Sequence, residues 1–378
     1  MRWLIFPQCK TLPFVVLLLG LHALLESAHS LVIATNKGRV TTLLGATIAG
    51  GSTSSSRTVT NDMSRRPLKM CAGEEDSHVE KPVIVLVTGS STGIGKSTAL
   101  AFASDPRFKV YATMRDTSKW DGPQNKENLI VTSLDVASEE SVINAIQKLE
   151  SEEGRGVSIV VNNAGYGMVG YLESVHVEEA KEVFDVNVFG AVRVLQACLP
   201  SMRKNGRGYI INVSSLSGIR GIPCFEFYTG SKFALEGIMD SLRYTLASFN
   251  IGITNVNPGP VRTAFGDRLG KASAGGRGTK EIKQDEGNWI QAMTNDMVST
   301  LSKRVQEDDN AQSSEDVATV LVNLAREYLK DPTQPVPFNT GSCDASQKIL
   351  EDLRRYPTGW GGRTYENIKK FVPERKGE

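Results

Sequence analysis

Tyr228 and Lys232 stand four residues apart in a stretch with helical spacing, which places a phenol and an ammonium on one face. A phenol ordinarily loses its proton only near pH 10. A neighbouring ammonium favours the tyrosinate, and each tenfold gain in acidity corresponds to about 1.36 kcal/mol. Such a pair can exchange a proton with a substrate oxygen near neutral pH, which is the proton-transfer half of interconverting an alcohol and a carbonyl. Tyr-x-x-x-Lys alone is common on surface helices, so the pair acquires meaning only in company.

A second group able to do chemistry is the segment Thr88-Gly89-Ser90-Ser91-Thr92-Gly93-Ile94-Gly95, which follows the apolar run Val83 to Val87. Glycines after a strand permit a tight turn and let a pyrophosphate approach the backbone at a helix N-terminus. Gly89, Ser91, Thr92, Gly93, Ile94 and Gly95 are therefore candidate dinucleotide contacts. The segment also mimics a nucleoside-triphosphate loop, because Gly95-Lys96-Ser97 ends in the expected way. That motif needs a glycine five residues before Gly95, where Ser90 stands, so triphosphate binding is set aside. The next strand ends Ala112-Thr113-Met114-Arg115-Asp116. Met114 cannot bond a ribose hydroxyl, whereas Arg115 can clamp a 2′-phosphate with two parallel hydrogen bonds. NADP (NADPH) is the expected coenzyme and NAD the less favoured one. Asp116 could reverse that preference, and an Arg-Asp pair solvated at a strand end is the competing reading.

These groups must be positioned by a frame, and the apolar pattern describes one. Val83 to Val87, Lys109 to Thr113, Leu129 to Leu134, Val157 to Val161, Tyr209 to Val213 and Ile251 to Val256 are short runs rich in Val and Ile, as strands buried on both faces of a parallel sheet read. Helical stretches alternate with them, among them Ser138 to Ser151, Glu178 to Lys204 and Phe225 to Phe249. The alternation predicts an α/β fold, a doubly wound parallel sheet with helices on both faces, in a single domain over residues 81–345. Residues 264–312 break the rhythm and are expected to form a substrate lid, with a helix from about Trp289 to Val305. Residues 346–378 are expected to be a tail.

Composition narrows the function. With 43 Lys+Arg against 42 Asp+Glu the net charge is +1, so the electrostatic footprint of a nucleic-acid binder is missing and no nucleic acid is expected as a partner. The 5 cysteines (Cys9, Cys71, Cys198, Cys224 and Cys343) are odd in number and form no C-x-x-C pair, which argues for reduced thiols and against a disulfide scaffold or a zinc site; no metal is expected.

The N-terminus reads as an address. Residues 12–25 (LPFVVLLLGLHALL) are apolar but short of the roughly 20 residues that span a bilayer, and Ala28-His29-Ser30 offers a cleavage site, so residues 1–30 read as a secretory-type signal. From Leu31 to Gly73 twelve Ser/Thr and six Lys/Arg accompany one acid, Asp62. That composition is transit-like, and residues 31–80 are expected to be a disordered presequence. Signal followed by transit segment resembles the bipartite presequence of proteins imported into plastids through the endoplasmic reticulum. The alternative is a lumenal or secreted protein, with membrane association only if residues 12–25 are retained.

Further motifs appear in order along the chain: Asn162-Asn163-Ala164-Gly165 after the fourth strand, Asn187 in FDVNVFG, Ser214-Ser215 ending the fifth, and Pro258-Gly259 after the sixth. Together with the glycine loop and the Tyr-Lys pair, this set resembles the classical short-chain dehydrogenase/reductase family over residues 82 to about 340, with its Rossmann fold. YTGSKFALEGIMDSL and NPGPVRTAF look most like the branch of 17β-hydroxysteroid and retinol dehydrogenases, which commonly carries an Arg where Arg115 stands. The resemblance implies that Tyr228 is the general acid/base and that Lys232 lowers its pKa and binds the nicotinamide ribose. It implies that Ser215 bonds the substrate oxygen and that Asn187 holds a relay water. Asn163, Ala164 and Gly165 would line the adenosine ribose, Asp135 with Val136 would meet the adenine, and Val261 and Thr263 would anchor the carboxamide. A hydrophobic alcohol, ketone or aldehyde substrate and a homodimer or homotetramer are implied. His176 reads as a packing or surface residue, and Cys224 and Phe225 as either pocket lining or plain packing. The rival from another class is a non-catalytic NADP-binding scaffold or an RNA-binding relative.

Overall fold

The computed structural model describes residues 81–123, 126–173, 175–263 and 311–355, scattered helical positions between 292 and 307, and two short strands near the N-terminus. Those strands, β1 (Ser30–Ala34) and β2 (Val40–Leu44), pair antiparallel and belong to a unit, Met1–Ser77, separate from the unit His78–Glu378. Both lie at or within the stretch expected as a disordered presequence. SLVIA and VTTLL are rich in residues that favour extended backbone, and they pair locally. Residues 12–25 and the rest of the stretch to 80 lie outside the described residues.

In the larger unit the strands are β3 (Val83–Val87), β4 (Phe108–Met114), β5 (Leu129–Ser133), β6 (Ile159–Asn162), β7 (Gly208–Val213) and β8 (Ile251–Asn257). Two-residue strands β9 (Val261–Arg262) and β10 (Gln312–Ser313) pair with each other, and β11 (Asn339–Gly341) lies at the edge of the main sheet. The main sheet is parallel throughout and runs β11-β8-β7-β6-β3-β4-β5. The six strands expected from the Val/Ile runs are present with ends displaced by no more than two residues. The seventh, Asn339–Gly341, has no apolar run and exists because β8 offers it an edge to pair with.

The helices are α1 (Gly93–Ala103), α2 (Glu139–Glu153), α3 (Val177–Phe184), α4 (Gly190–Asn205), α5 (Glu226–Leu246), α6 (Ser314–Lys330) and α7 (Asp344–Arg355). Alternation along each strand sends side chains to two cores. Ile84 and Leu86 join Ile146, Leu195 and Met239 on one face, and Val85 and Val87 join Phe102, Val317 and Leu321 on the other. Apolar burial on both faces explains why the strands read as unbroken runs.

Three departures from the sequence expectation have local causes. The single helix expected over Glu178 to Lys204 is interrupted by a π-helical turn, Asp185–Phe189, which carries Asn187 inward. Helix α6, not foreseen, starts with a capping box between Ser313 and Asp316 and is pinned by Arg326, whose guanidinium reaches the buried Asp105 carboxylate at 3.0 Å. Where a tail is expected from residue 346, helix α7 is found, with Ser346 and Leu350 buried. The lid, residues 264–312, lies mostly outside the described residues, as does Trp289.

Candidate active site

The order of winding reverses between β3 and β6, and ligands of such sheets bind at the carboxyl ends of the strands beside that reversal. Two loops meet there. Thr88, at the end of β3, is buried, and its hydroxyl accepts from the main-chain N–H groups of Asn163 and Ala164, both at 3.0 Å. Asn163 answers with its side-chain amide, donating to the carbonyls of Thr88 (2.9 Å) and Gly89 (3.1 Å). The approach is so close that only glycine fits at two positions. Gly89 has φ +68°, and a Cβ there would stand 2.8 Å from Ala164 Cα. A Cβ on Gly95 would collide with the Asn163 amide and the Gly89 carbonyl.

Helix α1 starts from this loop with Thr92 at its N-cap, and no side chain caps it. Its first-turn N–H groups are thereby left for an anion, and Ser91, Gly93 and Ile94 shape the turn around them. Thr263 lies over Gly93, at 3.4 Å from where a side chain would begin, and Val261 is held next to it by the pairing of β9 with β10. The cradle therefore fits a dinucleotide pyrophosphate on the shape of its backbone alone.

Along the crevice, Asp135 turns its carboxylate to the Ala137 N–H at 3.0 Å, and Val136 is buried against Gly190 at the start of α4. Arg115 is exposed at the end of β4, and no hydrogen bond or ion pair among the described residues ties its guanidinium. Asp116 is not its partner. That carboxylate accepts from Ser118 N (3.1 Å) and Ser118 Oγ (2.6 Å) and faces Lys119 at 3.6 Å, closing its own short turn.

The Tyr-Lys pair lies on α5 beyond the end of β7. Tyr228 is 7% exposed and Lys232 6%. The Lys232 ammonium donates to the Val213 carbonyl at 2.9 Å and lies 5.9 Å from the Tyr228 ring centroid. Ser215 hydrogen-bonds the Tyr228 hydroxyl through its side chain. Asn187 is 2% exposed; its amide donates to Tyr166 O and Ser231 Oγ and accepts from Tyr166 N, all at 3.0 Å. Ser231 donates in turn to the Tyr228 carbonyl at 2.7 Å, so the π turn is fastened to α5 at the root of the tyrosine. Gly165 packs against the Asn187 amide, with room for no side chain between them.

Burial is the largest influence on the electrostatics of this pair. Burial pushes the Tyr228 hydroxyl up to about 12, with the Ser215 hydrogen bond acting the other way. The same burial pushes the Lys232 ammonium down to about 8, opposed by Glu236. Burial thus acts against acidification of the phenol, and the Ser215 hydrogen bond acts in its favour.

Val169, Cys224, Phe225 and Tyr228 form an apolar cluster with Tyr171 and Ile222 beside it. Phe225 meets Tyr228 edge to face at 6.2 Å, and Cys224, at φ +63°, accepts from Gly170 N at 2.9 Å. His176 is the N-cap residue of α3. Sequence reasoning passed over Thr88, Glu236 and Asn257. Thr88 had a legible signal, a hydroxyl residue at the strand end before the first glycine. Glu236 had only its spacing, four after Lys232.

A glycine loop at the switch point of a doubly wound parallel sheet, with a buried Tyr-Lys pair on α5, is the architecture of dinucleotide-binding α/β folds. Residues 83–274 match the family model described as short chain dehydrogenase, and the chain belongs to that family. It stands near the branch of retinol and 17β-hydroxysteroid dehydrogenases. It is 44% identical over 198 residues to retinol dehydrogenase 8 of Bos taurus, covering 50% of this chain and 62% of that protein. It is 41% identical over 199 residues to human 17-beta-hydroxysteroid dehydrogenase type 1, covering 49% of this chain and 59% of the relative. The chain thus spans about six-tenths of the length of these relatives. Among solved structures, a short-chain dehydrogenase from Streptomyces avermitilis superposes with a TM-score of 0.58 at 26% identity, over 77% of this chain and 98% of the other. ElxO with NADP bound superposes with a TM-score of 0.53 at 26% identity, over 69% and 96%.

Proposed function

We propose that the protein is an NADP-dependent oxidoreductase that interconverts an alcohol with a ketone or aldehyde, on a hydrophobic substrate. The observation that carries this reading is the buried Tyr228 hydroxyl, hydrogen-bonded by Ser215, with the Lys232 ammonium behind its ring and the glycine cradle across the crevice. Bound nicotinamide would supply or take the hydride at the substrate carbon. Tyr228 delivers a proton to the carbonyl oxygen as charge develops there, and takes it back in the reverse direction. Ser215 holds that oxygen in line with the phenol. Lys232 binds the nicotinamide ribose and stabilises the tyrosinate left after proton transfer. With both amide N–H groups of Asn187 engaged, a relay water there would be held by an oxygen acceptor.

NADP rather than NAD is supported by the exposed Arg115 guanidinium, untied among the described residues, and by the engagement of Asp116 elsewhere, which leaves the 2′-phosphate position cationic. The apolar cluster around Phe225 and Cys224 supports a hydrophobic substrate, in keeping with the retinol and steroid named for the relatives. Residues 1–80 are proposed as a bipartite plastid presequence, and the mature N-terminus of native protein tests it. A homodimer or homotetramer is proposed, and light scattering tests that.

The function is tested by NADPH oxidation with a panel of retinoid, steroid and aliphatic carbonyls, beside Tyr228→Phe. Turnover that falls at least about a hundredfold in Tyr228→Phe, with NADPH affinity kept, is expected. Equal rates remove Tyr228 from the mechanism, and tight NADPH binding without turnover favours the scaffold reading.

A further inference from the structure

Behind Lys232 lies a set of buried polar groups that neither the fold nor the proton transfer requires. Asn162, on β6, donates through its amide to Asn212 Oδ1 at 3.0 Å; Asn212, on β7, donates to Asn255 Oδ1 at 2.9 Å; Asn255, on β8, donates to Glu236 Oε2 at 2.5 Å. The amides form a ladder across three adjacent strands, all oriented alike, and it ends on a carboxylate. Asn257 donates to the other oxygen, Oε1, at 2.7 Å. The Asn339 amide nitrogen, in the orientation that satisfies both its ends, reaches Oε2 at 3.2 Å. Glu236 is 8% exposed, so this carboxyl lies in the interior.

A group that receives three amide donors is built to be an acceptor, which is the ionised form. Burial pushes the Glu236 carboxyl up, while the Ser214 hydroxyl, the amides of Asn257 and Asn255, and Lys232 act to hold it charged. A buried carboxylate needs a counter-charge, and the described cation that acts on it is Lys232, one helical turn earlier on α5 and beyond direct ion-pair contact, with its own hydrogen bond to the Val213 carbonyl. Asn257 connects the same carboxylate to a second part of the site, since its amide also donates to the Ser215 carbonyl at 3.0 Å.

We propose that Glu236 is a positioning residue for the Tyr228, Lys232 and Ser215 group: its carboxylate is the counter-ion that keeps the Lys232 ammonium charged inside the protein, and through Asn257 it fixes the main chain that carries Ser215. The proposal rests on the reading of Tyr228 and Lys232 as the proton-handling pair. An ammonium taken out of water gives up its proton unless an opposite charge accompanies it. Among the described residues, the ionisable groups that face Lys232 are Tyr228 and Glu236 on its own helix. From β7 it meets the Val213 carbonyl, and the groups that β8 and β11 turn to Glu236 are neutral amides.

The test uses the full chain and two readouts against pH, NADPH affinity by fluorescence and kcat/KM for carbonyl reduction. NADPH affinity senses the Lys232 charge even in a protein that turns nothing over, so failure of this inference and failure of the proposed activity are separable. In Glu236→Gln the alkaline fall of both quantities is expected at a pH lower by at least about 1 than in the unmodified protein. In Glu236→Asp, which keeps the charge, it should return toward the original position. Superimposable alkaline limbs in a folded Glu236→Gln protein overturn the proposal. If Glu236→Gln does not fold, Asn257→Ala decides. It should move the NADPH limb in the same direction and lower kcat about tenfold at unchanged coenzyme affinity at about pH 6; a protein with neither change overturns the proposal as well.

Discussion

Replacing Arg115 by serine should change which coenzyme the protein prefers while leaving its fold intact. The guanidinium is exposed at the end of β4 and ties down nothing among the described residues, so its loss exposes no orphaned partner. Asp116, which might otherwise take a ribose hydroxyl, is held by Ser118 at 2.6 Å and stays in its turn. The cost is therefore confined to the contact with a 2′-phosphate. A charge-assisted, two-pronged hydrogen bond contributes about 1.5–3 kcal/mol, and exposure to solvent places this one toward the lower end. That corresponds to a loss of roughly ten- to a hundredfold in NADPH affinity, with NADH affinity changed by less than about twofold. Fluorescence titration of both coenzymes, at two salt concentrations, measures the ratio directly. If NADPH and NADH weaken by the same factor, Arg115 acts on the loop and not on the phosphate, and the assignment of NADP fails.

Three further expectations concern the cradle and the frame. Gly95→Ala should lower stability by about 1–3 kcal/mol and abolish coenzyme binding, because the new methyl collides with the Asn163 amide and the Gly89 carbonyl; an alanine variant that binds NADPH normally contradicts the close approach of the two loops. Asp105 is held well below the usual carboxylate range by Arg107 and Arg326, so it contributes stability above its unfolded pKa that is lost as pH falls. Asp105→Asn should cost about 1.5–3 kcal/mol in urea unfolding at about pH 7 and less at about pH 3. The Lys232 pKa of about 8 lies below the unfolded value of 10.5, so between these limits the unfolded chain binds more protons and stability rises with pH. Replacing the side chain as Lys232→Met should remove about 2 kcal/mol of that rise, read as the difference between the two proteins' urea midpoints at about pH 8 and about pH 10.

The frame was legible because each strand buries both faces. Ile84 and Leu86 point to one core and Val85 and Val87 to the other, so the run is apolar without a gap, and the helices between such runs follow. The glycine loop was legible for a steric reason, since Gly89 and Gly95 stand where any side chain strikes the neighbouring loop. β11 and α7 were not, because a three-residue edge strand carries no periodic signal and its helix is held by docking. The π turn at Asn187 was hidden for a related reason: bonds from Tyr166 and Ser231, distant in sequence, distort a segment whose local pattern reads as uninterrupted helix.

The residue types alone determined the class of chemistry, since a phenol, an ammonium and a phosphate-binding turn are recognisable wherever they fold. What they left undecided was the balance of charge. Sequence spacing placed Lys232 near Tyr228 and led to the expectation of an acidified phenol. Burial acts on both groups at once, raising the phenol and lowering the ammonium. Whether an ammonium keeps its proton depends on how much water surrounds it and which charges face it. Both are set by packing among α5, β7 and β8, and so only the tertiary structure could bring Glu236 into the site.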